Sequence, residues 1–158
     1  MTSQVLSTQV LTEPRLETWI RFLRAHAAVT RQLSARLEAE HGLTLNDFDV
    51  LVQLYHAPEQ ALRRVDLARA VLLTASGITR LLEGLERSGW VEKKACSSDA
   101  RVSYAALTEA GVAKIEQARA SHVADVEELF NATFSEAEQA TLAKLLGRLP
   151  LAETNCAE

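Results

Sequence analysis

The sequence predicts a mainly α fold with one small β-hairpin set into it, on three observations. Apolar residues recur at helical spacing near both ends of the chain. Residues 62–111, LRRVDLARAVLLTASGITRLLEGLERSGWVEKKACSSDARVSYAALTEAG, read differently: a short helix, a turn, a second helix, two strands around a polar tip, and the start of another helix. Finally, Leu and Ala dominate a composition that is 47% hydrophobic but only 5% aromatic, which favours helices.

Each element has a local reason. Residues 1–12 are expected to be flexible. From Pro14 to about Glu40, a broad stripe runs through Leu16, Trp19, Ile20, Leu23, Ala27, Thr30, Leu33 and Leu37, with Pro14 suited to a first turn. His41-Gly42 ends this helix. Thr44 caps a second one, Leu45 to about His56, with Asp47 three residues on and Leu45, Phe48, Leu51, Val52 and Tyr55 facing inward. Residues 13–56 thus form an N-terminal helical unit. The turn Ala57-Pro58-Glu59 opens a central module, residues 57–107. Its second helix ends at Gly89, an expected left-handed cap, with Trp90 covering the last turn. A strand from Trp90 to Lys94, a tip from Cys96 to Arg101 and a return strand from Val102 to Leu107 complete it. Thr108 caps a long helix to about Asn131 that carries Val112, Ile115, Val126, Leu129 and Phe130. Ser135 and Glu138 form a capping box for a last helix ending near Leu149-Pro150. Residues 108–150 are the C-terminal helical unit, and 151–158 a flexible tail.

Several classes of function are not expected. At 158 residues the chain is one domain, or one module in a helical frame. No apolar run approaches the ~18–20 residues of a membrane span, and MTSQVLSTQVLTEPR lacks a signal-peptide pattern, so the cytoplasm is the expected compartment. Cys96 and Cys156 form no CxxC pair, and His26, His41, His56 and His122 have no ligand spacing, so neither a metal nor a cofactor is expected. There is no glycine-rich nucleotide loop and no nucleophile–base pair, which argues against an enzyme.

Helix-turn-helix followed by a β-wing is a shape that fits a DNA groove and its flanking phosphates. The net charge of −4 looks adverse, but its distribution does not. Residues 60–105 hold eight Arg or Lys against five acids, whereas 1–59 and 106–158 carry net charges of −2 and −5. Phosphate attraction is screened beyond ~10 Å at 0.1 M salt, so a basic face on an acidic body can still bind DNA. The terminal helices are too apolar to be solvated spacers. They are expected to interlock as a two-fold homodimer, each chain taking one half-site of a palindromic operator in double-stranded DNA. The full expectation is a winged helix-turn-helix flanked by N- and C-terminal dimerisation helices.

Asp99-Ala100-Arg101 followed by Leu107-Thr108-Glu109-Ala110-Gly111 resembles the wing of the MarR (multiple antibiotic resistance regulator) family of bacterial winged-helix regulators. Ile78-Thr79-Arg80-Leu81-Leu82 and Leu85-Glu86-Arg87-Ser88-Gly89-Trp90-Val91 resemble its recognition helix and the exit from it. Gly42-Leu43-Thr44 resembles the start of its second helix, and the likeness extends over about residues 15–149. The resemblance implies a dimeric repressor that releases DNA when a small ligand, commonly a phenol or other aromatic acid, binds between the dimerisation helices and the winged helix.

Thr74, Ala75, Ser76, Thr79 and Arg80 lie at the N-terminal end of the expected recognition helix. Arg80 can pair bidentately with a guanine and the hydroxyls can reach bases or phosphates. The competing roles are a helix cap for Thr74, solvated surface for Ser76 and Thr79, and an ion pair with Glu83 for Arg80. Gly77 is unusual inside a helix; close approach to DNA backbone or a mobile helix would account for it. In the wing, Arg101 suits a narrow minor groove, with Asp99 orienting it. Lys93 and Lys94 alternate across the strand, so one of them faces the groove and its phosphates. A basic residue between the Asp and the Arg is frequent in the family, and here it is Ala100. Arg63 and Arg64 are candidates to clamp a phosphate. Trp19, Leu23, His26, Tyr55, Asp66 and Arg69 are candidates to line the crevice for a small-molecule effector. For Trp19 the alternative is interface core, and for Asp66 a salt bridge to Arg63 or Arg69.

Two further sensing modes belong to relatives of this family. Peroxide sensors use a cysteine in the first helix, which this chain lacks. Zinc sensors pair two His one turn apart in the long helix, where this chain has His122 with Ala118 and Val126. The alternatives to a ligand-released repressor are a thiol-responsive regulator using Cys96, whose pKa Lys93 and Lys94 would lower, or a winged helix that binds protein, or DNA without sequence specificity.

Overall fold

The computed structural model describes residues 16–71, 73–95 and 102–149. Six helices run in the order α1 (Glu17–His41), α2 (Leu45–His56), α3 (Arg64–Ala70), α4 (Ala75–Arg87), α5 (Glu109–Thr133) and α6 (Glu136–Leu146). Strands β1 (Ala61–Arg63), β2 (Val91–Ala95) and β3 (Ser103–Leu107) form an antiparallel sheet in the order β1-β3-β2. The register places Ala61 opposite Ala106, Arg63 opposite Tyr104, Val91 opposite Leu107 and Ala95 opposite Ser103. None of the helices is long and apolar enough to cross a membrane.

Most boundaries follow from caps. Gly42 adopts φ 65° and its N–H donates to Glu38 O at 3.0 Å, which closes α1 in a left-handed cap. Thr44 and Asp47 exchange side chain-to-backbone hydrogen bonds in a capping box at α2, and Ser135 with Glu138 does the same at α6. Gly89 adopts φ 75°, with its N–H donating to Glu86 O and the Trp90 N–H to Leu85 O, the two bonds of a Schellman motif.

The structure adds one strand and shifts several element ends. β1 was not expected: three residues are too few for an alternating pattern, and only the pairing with β3 makes them a strand. A short 3-10 turn at Pro58–Gln60 leads into it, with Glu59 and Gln60 both left-handed at φ 54° and 53°. The hairpin strands sit one residue later than expected at the Trp90 and Val102 ends, α5 runs on to Thr133, and α6 stops at Leu146 rather than near Leu149.

The core lies where the C-terminal half of α1, helices α2 to α4, the sheet and the first half of α5 meet. Leu37, Leu43, Leu51, Leu54, Leu67, Leu82 and Ile115 are fully buried, with Phe48, Ile78, Leu85, Val91 and Leu107 around them. Outside this core the helices are poorly covered. Along α1 only Leu33 and Leu37 are buried, and α6 buries nothing. Trp19 is 56% exposed, Leu145 52%, and Phe22, Leu23, Val123 and Leu149 are also exposed.

Two joints hold the core to its surroundings. The first ties the exit of α4 to the start of α5. The Thr108 N–H donates to Trp90 O at 3.1 Å, its hydroxyl donates to Gly89 O at 2.6 Å, and the same hydroxyl accepts from the Gly111 N–H at 3.0 Å. Gly111 has no room for a side chain, because a Cβ there would sit 2.0 Å from Trp90 O. The Lys114 ammonium lies 4.9 Å from the centre of the Trp90 ring, close enough for a cation–π contact.

The second joint straps α1 to α5. Arg36 binds Asp125 at 2.5 Å and Glu128 at 2.7 Å, which raises its pKa further and keeps it charged. His41 Nε2 lies 2.5 Å from Ser121 Oγ, and the His122 ring packs at 4.6 Å on Phe48 of α2. Burial lowers the pKa of His122, an effect that the Asp125 carboxylate partly opposes.

Two outcomes follow. Gly111→Ala forces backbone apart at the α4–α5 joint and should lower unfolding free energy by about 1–3 kcal/mol in a denaturant titration. His122 favours its neutral form when folded, so the unfolded chain takes up the proton more readily. Its stabilising contribution is present above the ordinary histidine value of 6.5 and is lost as pH falls below that toward the lowered folded value. The melting temperature should therefore fall from pH 7 to pH 5 more steeply for the parent than for His122→Gln; equal slopes would contradict this assignment.

Candidate nucleic-acid interface

Helix α4 has two clearly different faces. Ile78, Leu82 and Leu85 are buried at helical spacing, while Ser76, Thr79, Arg80, Glu83 and Arg87 are exposed. Thr74 is the N-cap: its hydroxyl accepts from the Gly77 N–H at 3.1 Å and lies 3.3 Å from the Ser76 hydroxyl. A Cβ on residue 77 would stand 3.1 Å from the Thr74 hydroxyl oxygen, so glycine there leaves room for the cap. Steric demand within the chain thus supplies a reason for Gly77 besides those expected from sequence. Ala75 opens the helix, but its side chain lies outside the described atoms. Arg80 forms no ion pair among the described residues, so the competing contact with Glu83 is not made. The exposed start of α4 therefore carries three hydroxyl groups and a guanidinium beside the free N–H groups of a helix N-terminus.

The other basic candidates are held in different ways. Arg63 is 51% exposed and its Nε donates to Asp66 at 2.6 Å; Asp66 also lies 3.9 Å from Arg69. Arg64 instead reaches across to Glu86 of α4 at 3.2 Å and is only 25% exposed. Lys93 and Lys94 are both exposed on β2, and Lys94 pairs with Glu92 at 3.4 Å. Asp99, Arg101 and Cys96 lie outside the described residues.

The six candidates for an effector crevice fall in separate places within one chain. Trp19, Leu23 and His26 are on the exposed half of α1, where Phe22 bridges Trp19 and His26 with ring centres 6.2 and 6.5 Å apart. Tyr55 donates its phenol to Glu116 of α5 at 3.0 Å, a bond that raises its pKa. On α3, Asp66 pairs with Arg69 and with Arg63 of β1. No hydrogen bond, ion pair or ring contact among the described residues joins these groups. An open groove along α1 is lined by His26, Ala27, Thr30, Arg31, Ser34, Ala35 and Glu38, and of the six it includes only His26. Among the described residues no three His, Cys, Asp or Glu could hold a metal ion together.

Sequence reasoning missed Phe22 and Glu86. Phe22 was legible, since it follows Trp19 by three residues and precedes His26 by four. Glu86 was not, because nothing local links it to Arg64, 22 positions earlier.

Removing the cap should register in stability first. Thr74→Ala is expected to cost about 0.5–2 kcal/mol of unfolding free energy, while Thr74→Ser stays within about 0.5 kcal/mol of the parent. Equal losses in the two variants would show that the hydroxyl bond to Gly77 contributes little.

This geometry has close counterparts. A family model described as MarR family matches residues 41–102. The transcriptional regulator MhqR of Bacillus subtilis is 29% identical over 141 residues, covering 89% of this chain and 94% of that protein. The crystal structure of AbsC, a MarR family transcriptional regulator from Streptomyces coelicolor, superposes with a TM-score of 0.77 at 30% identity, covering 86% of this chain and 91% of that one. Sco3205, a MarR family regulator from the same organism solved in complex with DNA, superposes with a TM-score of 0.77 at 25% identity over 86% of this chain and 89% of that one. A winged helix with these caps, this sheet order and this likeness along its length places the chain in the MarR family of transcriptional regulators.

Proposed function

We propose that two copies of this chain form a two-fold dimer that regulates transcription by holding one α4 in each half of an inverted-repeat operator. The carrying observation is the exposed start of α4, where Thr74, Ser76, Thr79 and Arg80, which makes no ion pair among the described residues, project from a helix whose other face is locked in the core. Hydroxyls and a guanidinium on a helix N-terminus suit base edges and phosphates of the major groove; a protein-docking face would be more apolar. Arg101 enters the minor groove beside it, oriented by Asp99. Arg63 and whichever of Lys93 and Lys94 faces the groove neutralise phosphates. The DNA-bound relative Sco3205 supports this reading.

Dimerisation rests on what a single chain leaves uncovered. Helix α6 buries no residue, and Trp19, Phe22, Leu23, Leu145 and Leu149 stay exposed at the two ends of the helical frame. A second copy that covers residues 13–56 and 108–150 removes this apolar surface from water and leaves residues 57–107 to the DNA. The regulator acts in the cytoplasm as a repressor, and a phenol or other small aromatic acid releases it. In the dimer, helices from both copies would bring candidates such as Trp19, His26 and Tyr55 to one crevice.

Selection of bound duplexes from a random pool by the purified protein tests the reading. An enriched inverted repeat, half-sites one helical turn apart, is the expected result. Binding at low salt only, with no enrichment, would remove the repressor reading. On the enriched duplex, Arg80→Ala should lose about 1–3 kcal/mol and relax preference at one base pair of each half-site. Arg101→Ala should weaken binding without lowering the melting temperature; unchanged affinity would sink the wing assignment.

A further inference from the structure

Arg64 and Glu86 stand at positions that their own helices disfavour. Arg64 is the first residue of α3 and Glu86 the last but one of α4. A cation at a helix N-terminus and an anion at a C-terminus each oppose the macrodipole. Neither charge therefore serves the helix that carries it, and what the two share is each other. Arg64 Nη2 donates to Glu86 Oε1 at 3.2 Å with the side chains 25% and 29% exposed, so solvent screens the pair less than a surface contact. Arg64 Nε is buried with no hydrogen-bond partner among the described residues. The guanidinium thus lies in the crease between the helices, largely out of solvent, unlike Arg63, which is 51% exposed and pairs three residues along the chain, and Arg69, which is 80% exposed. Helix α3 has seven residues and buries only Leu67 and Ala68, so few contacts set the angle at which it meets α4.

We infer that Arg64 is a positioning residue: through Glu86 it braces the recognition helix against the first helix of the motif, and it does not clamp a phosphate. This rests on the DNA-reading role proposed above and departs from the phosphate contact expected from sequence. Freed of the brace, α4 still folds and its basic surface still meets DNA, but its reading face is no longer held at one angle.

Three variants separate the two roles: Arg64→Ala, Glu86→Ala, and the exchanged pair Arg64→Glu with Glu86→Arg. Each is titrated with the enriched duplex and with a random-sequence duplex of equal length, across a salt series, with melting temperatures recorded. The brace predicts that both single variants lose about three- to thirtyfold on the enriched duplex, with little change on the random one and an unaltered salt slope. The exchanged pair restores the ion pair with each charge on the favourable end of its helix, so binding returns to within about threefold of the parent. A phosphate clamp gives the opposite pattern. Arg64→Ala then weakens both duplexes alike and lowers the salt slope by about 0.9 per lost contact. Glu86→Ala strengthens binding by releasing the arginine, and the exchanged pair binds worse than Arg64→Ala. That result, or independent effects of the two single variants, overturns the brace while the parent still selects its operator. If the single variants unfold, the exchanged pair decides. A parent that does not distinguish the two duplexes removes the DNA-reading role, and the inference falls with it.

Discussion

The rest of this structure depends on the contact between the end of α4 and the beginning of α5. Four residues make it: Gly89 turns the chain out of α4, Trp90 presents its carbonyl, Thr108 closes on both, and Gly111 lets the backbones approach. The bonds are local in chemistry but join segments almost twenty residues apart. They fix where the hairpin leaves the recognition helix and where the long helix begins. Any side chain at residue 111 would part them. The Leu-Thr-x-x-Gly pattern is therefore a steric requirement as much as a family signature: the Thr supplies a cap that also bonds backward, and the Gly supplies clearance.

From that joint the molecule divides into a well-packed centre and under-packed ends. Leucines from α1 to α4 and Ile115 of α5 close the centre, whereas the first half of α1 and all of α6 contribute almost nothing to it. Isolated helices of this length are marginal in water, and their persistence needs tertiary packing of an apolar face. The Arg36 strap and the His41–Ser121 contact hold α1 and α5 together just where the core gives out. Beyond it the first half of α1 runs on with Trp19, Phe22 and Leu23 exposed, an arrangement that agrees with assembly of two chains and gives a single chain little benefit.

Much of this was legible in the sequence because much of it is decided over a few residues. The caps at Thr44, Ser135 and Thr108, the helix end at Gly42 and the left-handed glycine at 89 stand where the spacing put them. The helical spacing of Ile78, Leu81, Leu82 and Leu85 marks the core face of α4, and all but the half-buried Leu81 are fully enclosed there. What escaped is what depends on distant partners. β1 exists only through its pairing with β3, more than forty residues later. Arg63 and Arg64 are neighbours in sequence, yet one pairs three residues along the chain and the other across to α4. A stripe through Trp19 and Leu23 shows that a face is apolar, not what covers it. The effector candidates on α1, α2 and α3 stay apart in one chain for the same reason.

The direct passage from β3 through Thr108 into α5 has a mechanical side. Twenty-five residues of continuous helix measure about 37 Å, so a tilt of about 5° about one end displaces the other by about 3 Å. Because α5 is bonded to the base of the hairpin and to the exit of α4, its tilt is not absorbed by a loose linker. The helix behaves as a stiff lever whose short arm carries the wing and whose long arm ends among the uncovered apolar residues. Whatever packs on that far end therefore bears on the pitch of the hairpin as well. The short arm reduces the movement, but no flexible joint lies between the two ends to absorb it.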